Sequence, residues 1–448
     1  MRFDIPGNIQ TVLECLRKAG FRALPVGGCV RDLLLGHAPH DWDITTSATP
    51  AEMSTVFSDF RMLKIGQGGA KHGTITVVID HVPIEVTTFR QDGAYSDGRR
   101  PDAVYFSRTL ESDLARRDFT INAMCLGEDG NIIDLFGGQQ DLQKGIICAI
   151  GEPDRRFGED ALRILRALRF AAVLRFDIEY QTARSMLYHM ERLAALSAER
   201  VRAEFEKLLC ASDCTRVLMD YHEIICAILP ELKATLGLAQ REDYHCHDVY
   251  THTAYAVGFA PPEPVLRVAL LLHDIGKPLC ADGHGHFYGH AAQSVKLADV
   301  ILRRLKFGNA ARGQILFLVQ QHGLALWDAD RNQIKKWLSK FGFAAMRQLL
   351  SVQKADIMAQ RVKMSQERLA GLERAQCLMA DIVAQQLPLT RTELAISGRD
   401  IIASGISPGP QLGALLDLLL QKVMDETLPN EPDALLEYVR LHRQDEVL

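Results

Sequence analysis

The sequence predicts an α+β chain, with a small mixed sheet and its helices at the N-terminal end and an all-helical remainder. Three observations carry this. The stretches "DWDITTS", "HGTITVVID" and "VPIEVTTF" alternate polar with β-branched residues, the period of half-buried strands. After "FGGQQDLQKG" the period changes, and from "EDALRILRALRFAAVL" onward apolar residues recur every three or four positions. The length, 448 residues, is enough for two to four domains at roughly 150 residues each.

In chain order, "IPGNIQTVLECLRKAG" has helical spacing and stops at Gly20. "PVGGCVRDLLLG" places a Gly-Gly pair ahead of a short helix, and "DWDITTS" opens a strand. The break "DHVP" turns the next two strands into a hairpin, with Pro83 starting its second arm. "QDGAYSDGRRPDAVYF" reads as a long mobile loop, and "FTINAMCL" and "IIDLF" return to strand or short helix. The divisions expected are a head (1–145), a helical neck and body (146–238), a His-rich domain (239–360) and a helical tail (361–448). "GISPGPQ" is the clearest late linker.

Composition excludes several classes. Hydrophobic residues are 47% and charged residues 24%, as in ordinary globular chains. No apolar run approaches the roughly 20 residues of a membrane span, and "MRFDIPGNIQ" lacks a signal-peptide pattern. The ten cysteines form no CxxC, as expected of reduced thiols. The expectation is a cytoplasmic protein without membrane partners. A net charge of −5 argues against an extended basic coat but leaves room for a local basic groove.

Asp41 and Asp43 are two apart. On a strand their carboxylates would share a face and repel unless a cation lay between them. Mg²⁺ suits such oxygen ligands and shares its other positions with phosphates. Glu85, on the neighbouring strand, is a possible third carboxylate. Gly27 and Gly28 would let backbone approach a triphosphate, with helix N–H groups behind them. Arg31, in the first helical turn, is expected to face phosphate or pair with Asp32. Asp-x-Asp also caps turns, so the dipeptide alone decides nothing.

A second charged stripe, Asp160, Arg163, Arg166 and Arg169, falls at three-residue steps of a helix. An Asp–Arg pair offers acceptors and donors to a base edge. Cytosine and adenine both present an amine donor beside a ring acceptor, so such a pair could admit them and refuse guanine and uracil. Surface salt bridges would give the same spacing.

Taken in order, these motifs resemble one family. "GGCVRDLLLG" with "HDWDITTSATP" is similar to the signature of polymerase β-like nucleotidyltransferases, and more narrowly of the class II, bacterial-type tRNA nucleotidyltransferases and their poly(A) polymerase relatives. "EVTTFRQDGAYSDGRRPDAVYFSRTLESDLARRDFTINAM", "FGEDALRILRALRFAA", "LSAERVRAEFEKLL" and "GPQLGALLDLLLQKVMDETLPNE" continue the match over almost the whole chain. The resemblance implies that Asp41 and Asp43 bind Mg²⁺ and that Gly28 and Arg31 contact nucleotide phosphates. It implies that Arg117 and Asp118, supported by Asn122, read ribose and phosphates. Asp160 and Arg163 would select the base, and Arg166 and Arg169 would complete the nucleotide and primer site. The implied reaction is CCA addition to the tRNA acceptor arm from CTP and ATP, by a monomer or homodimer. The long loop "RQDGAYSDGRRP" favours an enzyme that also adds the terminal A. A narrower A-adding enzyme, or a poly(A) polymerase, is the alternative within the family.

The His-rich region carries a separate set. Eight of the fifteen histidines fall between residues 245 and 322. His252, adjacent His273-Asp274 and Asp356 resemble the ligand order of HD-domain phosphohydrolases. Imidazoles with a carboxylate suit a divalent transition metal. His290 and His322 could hold a second ion, and "HDIGK" puts Gly276 and Lys277 beside any bound phosphate. A chain acting mainly as such a phosphohydrolase is the alternative from another class.

Overall fold

The computed structural model describes residues 3–63, 73–93, 104–241, 243, 245–360 and 362–442. Of the loop expected over residues 91–106, residues 94–103 lie outside them, and its two ends are paired strands rather than loop. The chain forms two compact units, Met1–Pro230 and Glu231–Leu448. Among the described residues no helix is long and apolar enough to cross a membrane.

The first unit is built on a sheet. Its strands are β1 (Ala23–Val26), β2 (Asp43–Thr46), β3 (Arg61–Leu63), β4 (Thr74–Ile79), β5 (Val82–Thr88), β8 (Met124–Leu126) and β9 (Ile132–Asp134). Arg90–Asp92 (β6) and Val104–Phe106 (β7) form a separate pair, as do Ile146–Ile147 (β10) and Asp177–Ile178 (β11). The seven-stranded order is β3-β4-β5-β2-β1-β8-β9. Every neighbouring pair is antiparallel except β2 and β5.

Register decides where chemistry can sit. Val26 lies opposite Asp43, Asp43 opposite Glu85, and Glu85 opposite Thr76, so one row crosses four strands. Side chains alternate faces along a strand. Ile44, Ile84 and Val86 therefore point away from this row, into a core with Val12, Leu16 and Met53 of the helices Gly7–Lys18 and Pro50–Val56 and with Phe57 just after the second. Leu24 and Val26 pack on the other face against Leu110, Leu114 and Cys125.

The hairpin forms as expected. Asp80 and His81 at its tip both have positive φ, 50° and 65°, the geometry of turns matched to strand twist. Three expectations change. Asp41 lies just before β2 rather than on it. Pro83 is the second residue of β5, not its first. The stripe beginning at Asp160 is not on one helix: a helix Pro153–Glu159 ends at Asp160, whose backbone is extended, and a new helix runs Leu162–Leu174.

The second unit is helical. Val249–Phe259, Pro264–Leu272, His290–Arg304, Asn309–Gln321 and Phe343–Met358 bring the His-rich segments together. Leu394, Ile401, Leu415, Leu419 and Leu435 form a further apolar core near its C-terminal end. None of the ten cysteines is in a disulfide, and Cys246 and Cys377 are the exposed ones.

Candidate active site and metal centre

Asp43 opens β2 and is paired in register with Glu85. Asp41, Asp43 and Glu85 line one cavity of about 640 Å³. Asp43 also lines a second, of about 430 Å³, with Gly27, Arg117, Asp160, Arg163 and Arg200. Desolvation by the site walls, reinforced by Asp41 against the opposing pull of Arg117, pushes the Asp43 carboxyl above its usual range. Glu85 is raised by burial and then by Asp43 and Asp41. This is excess negative charge beside an arginine-lined cavity. The hard oxygens of Asp41 and Asp43 fit Mg²⁺, which commonly takes one or two carboxylates and fills its shell with phosphate and water.

The glycine that matters most is Gly27. Its φ is +82°, and a Cβ there would stand 3.0 Å from Arg117 Nη1 and 4.0 Å from Asp43 Oδ2. A Cβ at Gly28 would meet only Arg31 Nη2 at an ordinary 3.6 Å.

The arginines divide into two groups. Some are spent within the protein. Arg31 donates to Asp32 at 2.7 and 2.9 Å and to Asn122 Oδ1 at 2.8 Å, so the alternative of pairing with Asp32 is the one realised. Arg169 pairs with Glu204 at 3.1 Å and lies over the Phe170 ring. Others face the cavity. Arg117 is tethered by the buried Asp113, which also holds Arg116 and accepts from Thr45. Arg117 Nε and Arg200 Nη1 are sealed donors without a hydrogen-bond partner among the described residues, which is what an anion would satisfy.

Asp160 and Arg163 do not pair with each other. Asp160 Oδ2 accepts from Arg200 at 2.7 Å, and its Oδ1 accepts from Leu162 N at the start of the next helix. Arg163 donates to Glu159 at 2.8 Å and to the carbonyls of Arg156 and Arg116. The helix break turns Asp160 away from its neighbour three residues on. Asp160 and Arg163 still line the same cavity. Asp118 accepts from Arg166, from Asn122 and from the Phe119 amide. Burial alone would raise its carboxyl, but Arg166, Arg163 and Asn122 together outweigh burial and hold it at about 2. Arg200, Glu204 and Glu159 were not singled out from sequence. The i,i+4 spacing of Arg200 and Glu204 was visible, but their partners lie some 40 residues away.

The second unit gathers all six His-rich candidates. His252, His273 and Asp356 bring ligand atoms within 4.8 Å of one another, and so do Asp274, His290 and His322. Asp274 stands between the groups: its Oδ2 is 3.0 Å from His273 Nε2 and its Oδ1 is 3.4 Å from His290 Nε2. In all four histidines Nδ1 faces a backbone carbonyl: Ala359, Leu270, Phe287 and Val319, at 2.6–3.3 Å. A carbonyl only accepts, so each Nδ1 carries a proton and each Nε2 points inward, where it can offer a lone pair to a metal. His290 Nε2 and His322 Nε2 are 3.1 Å apart, an arrangement that neutral rings hold well only around a cation. Burial lowers His322 to about 4, keeping that ring neutral as a ligand must be.

Gly276 explains the "HDIGK" turn. A Cβ there would stand 2.4 Å from Ser294 N and 2.6 Å from His290 O. The turn can therefore lie directly on the helix that presents His290. Lys277 donates to Asp274 and to Gln240 Oε1, both at 2.6 Å.

Residues 23–148 match the model of the poly(A) polymerase head domain, and residues 175–236 that of a probable RNA and SrmB-binding site of polymerase A. Residues 290–439 match a putative tRNA nucleotidyltransferase domain 2. Fold, site and matches together define a nucleotidyltransferase. The CCA-adding enzyme of Leuconostoc mesenteroides is 33% identical over 98% of this chain and 97% of its own. That of Leuconostoc citreum is 35% identical over 96% and 95%. The Bacillus stearothermophilus CCA-adding enzyme, solved with CTP, is 29% identical, with a TM-score of 0.70 and 98% of both chains covered. The chain belongs to the class II CCA-adding enzymes.

Proposed function

We propose that this chain adds C, C and A to the tRNA 3′ end from CTP and ATP. In each addition the RNA 3′-oxygen bonds to the α-phosphorus, the bond to the β-phosphate oxygen breaks, and pyrophosphate leaves. The observation that carries the reading is the row Val26–Asp43–Glu85, which sets paired acidic strands at the mouth of an arginine-lined cavity. Asp41 and Asp43 would hold Mg²⁺, which supplies positive charge to the reacting phosphate oxygens. Arg117 and Arg166 are placed to bind phosphates. Asp160 and Arg163, each held by its own partner, are placed to read the base as two separately anchored groups. The four-part division into head, neck and body, His-rich domain and tail belongs to this reading.

The test uses tRNAs ending before A, CA or CCA, with CTP, ATP or both, and products resolved to one nucleotide. Full CCA is expected, and Asp43→Ala should abolish it. No C incorporation would leave an A-adding enzyme, and runs of A would mean poly(A) synthesis.

A second reading concerns the other unit. We infer that its six ligands hold divalent transition metal and hydrolyse a phosphate ester. The facing Nε2 atoms of His290 and His322 support this, as do the buried His252 Nε2 and His273 Nε2, which have no hydrogen-bond partner among the described residues. Metal bound there supplies electrophilic charge to the phosphoryl group. Metal content of purified full-length protein tests it: none retained or taken up by the wild type would end the reading.

A further inference from the structure

We propose that His245, with Lys277, holds the phosphoryl group of the ester bound at the second centre. The inference rests on the metal-binding reading of that centre. His245 lies seven residues before His252, and their rings meet edge to face with centroids 4.9 Å apart. It is not one of the clustered ligands. Its Nδ1 is sealed from solvent and has no hydrogen-bond partner among the described residues, an arrangement that is costly unless a ligand completes it.

The same segment contributes Gln240, whose Oε1 holds the Lys277 ammonium. Gln240 is in turn anchored by its Nε2 to the His247 carbonyl at 3.2 Å. Lys277 has three N–H donors. Asp274 and Gln240 take two of them, which leaves one for an incoming oxygen. Gln240 and His245 thus lie along one flank of the centre, with the His245 imidazole and a Lys277 N–H both available. A phosphoryl group has several oxygens, and those not directed at metal need such donors. The exposed side of the centre is at His290 and Asp356, whose side chains are 26% and 16% accessible.

The reaction served is ester hydrolysis. The oxygen of water bonds to phosphorus, the ester P–O bond breaks, and the alcohol leaves. One proton of the water ends on the alcohol and the other on the phosphate.

The experiment uses full-length wild type, His245→Ala, His245→Asn and His252→Ala. Bound Mn²⁺ per chain is measured by elemental analysis, inorganic phosphate binding by calorimetry, and turnover with p-nitrophenyl phosphate and bis-p-nitrophenyl phosphate. His245→Ala should keep the wild-type Mn²⁺ content and weaken phosphate binding by about tenfold, the value of one hydrogen bond to a charged group. His245→Asn, which keeps a donor, should recover part of the loss. His252→Ala should lose metal. The faster of the two nitrophenyl probes assigns the centre to monoesters or diesters. Unchanged phosphate binding in His245→Ala overturns the proposal, and so does loss of Mn²⁺, which would make His245 a ligand. A wild type without Mn²⁺ overturns the underlying metal reading instead. Wild-type far-UV circular dichroism and thermal unfolding of His245→Ala and His245→Asn show that they have folded.

Discussion

Asp118 shows how one carboxylate can organise the groups around it. It gathers Arg166, Asn122 and the Phe119 amide, and Asn122 in turn accepts from Arg31. Its unfolded pKa is near 3.8 and its folded value about 2. A depressed carboxylate stabilises fully above the unfolded value, and that stability is lost as pH falls from 3.8 towards 2. The difference is about 2 kcal/mol. Asp118→Asn should therefore be less stable at neutral pH, with a flatter loss of stability between pH 4.5 and 2 in urea titrations. Equal acid slopes for the two proteins would remove this assignment. The resemblance implied that Asp118, with Arg117, reads ribose and phosphates and that Asn122 supports them. It did not reveal that Asp118 and Asn122 are occupied internally, because the partner Arg166 is 48 residues away.

At the scale of elements, periodicity made the strands and the hairpin legible, since a half-buried sheet leaves an alternating imprint. The break at Asp160 left none. Apolar spacing runs unbroken from "EDALRILRALRF", and no proline interrupts it. What ends the first helix is the extended backbone of Asp160 and the pull of Arg200, a contact made across the fold. Two glycines separate geometry from propensity. At Gly276 a methyl would strike the backbone of Ser294 and His290, neither of which can swing aside. Gly276→Ala should cost roughly 1–3 kcal/mol, as overpacking does. Gly313 is exposed in the helix Asn309–Gln321 with nothing within 4 Å of a Cβ. Gly313→Ala should gain up to about 1 kcal/mol from helix propensity. Thermal unfolding of both variants checks the opposite signs.

At the scale of the molecule, the two candidate centres belong to separate compact units. Residues of the first run from Gly27 to Glu204, and those of the second from Gln240 to Ala359. Asp274→Ala should then leave nucleotide addition within about twofold of wild type, as expected of independent sites, while removing hydrolysis of nitrophenyl probes. Loss of addition in a folded Asp274→Ala protein would couple the centres. Both sites were visible in sequence because their ligand types are chemically demanding. Their internal geometry was not, because contacts such as Arg200 to Asp160 join residues far apart in the chain. The thiols divide along the same line. Burial pushes Cys29 up to about 11 and Cys125 up to about 12, so beside the acidic row they stay protonated and inert to alkylation. The two exposed thiols, Cys246 and Cys377, both lie in the second unit. A maleimide dye therefore reaches the most exposed thiols in that unit, and at Cys246 it sits one residue from His245.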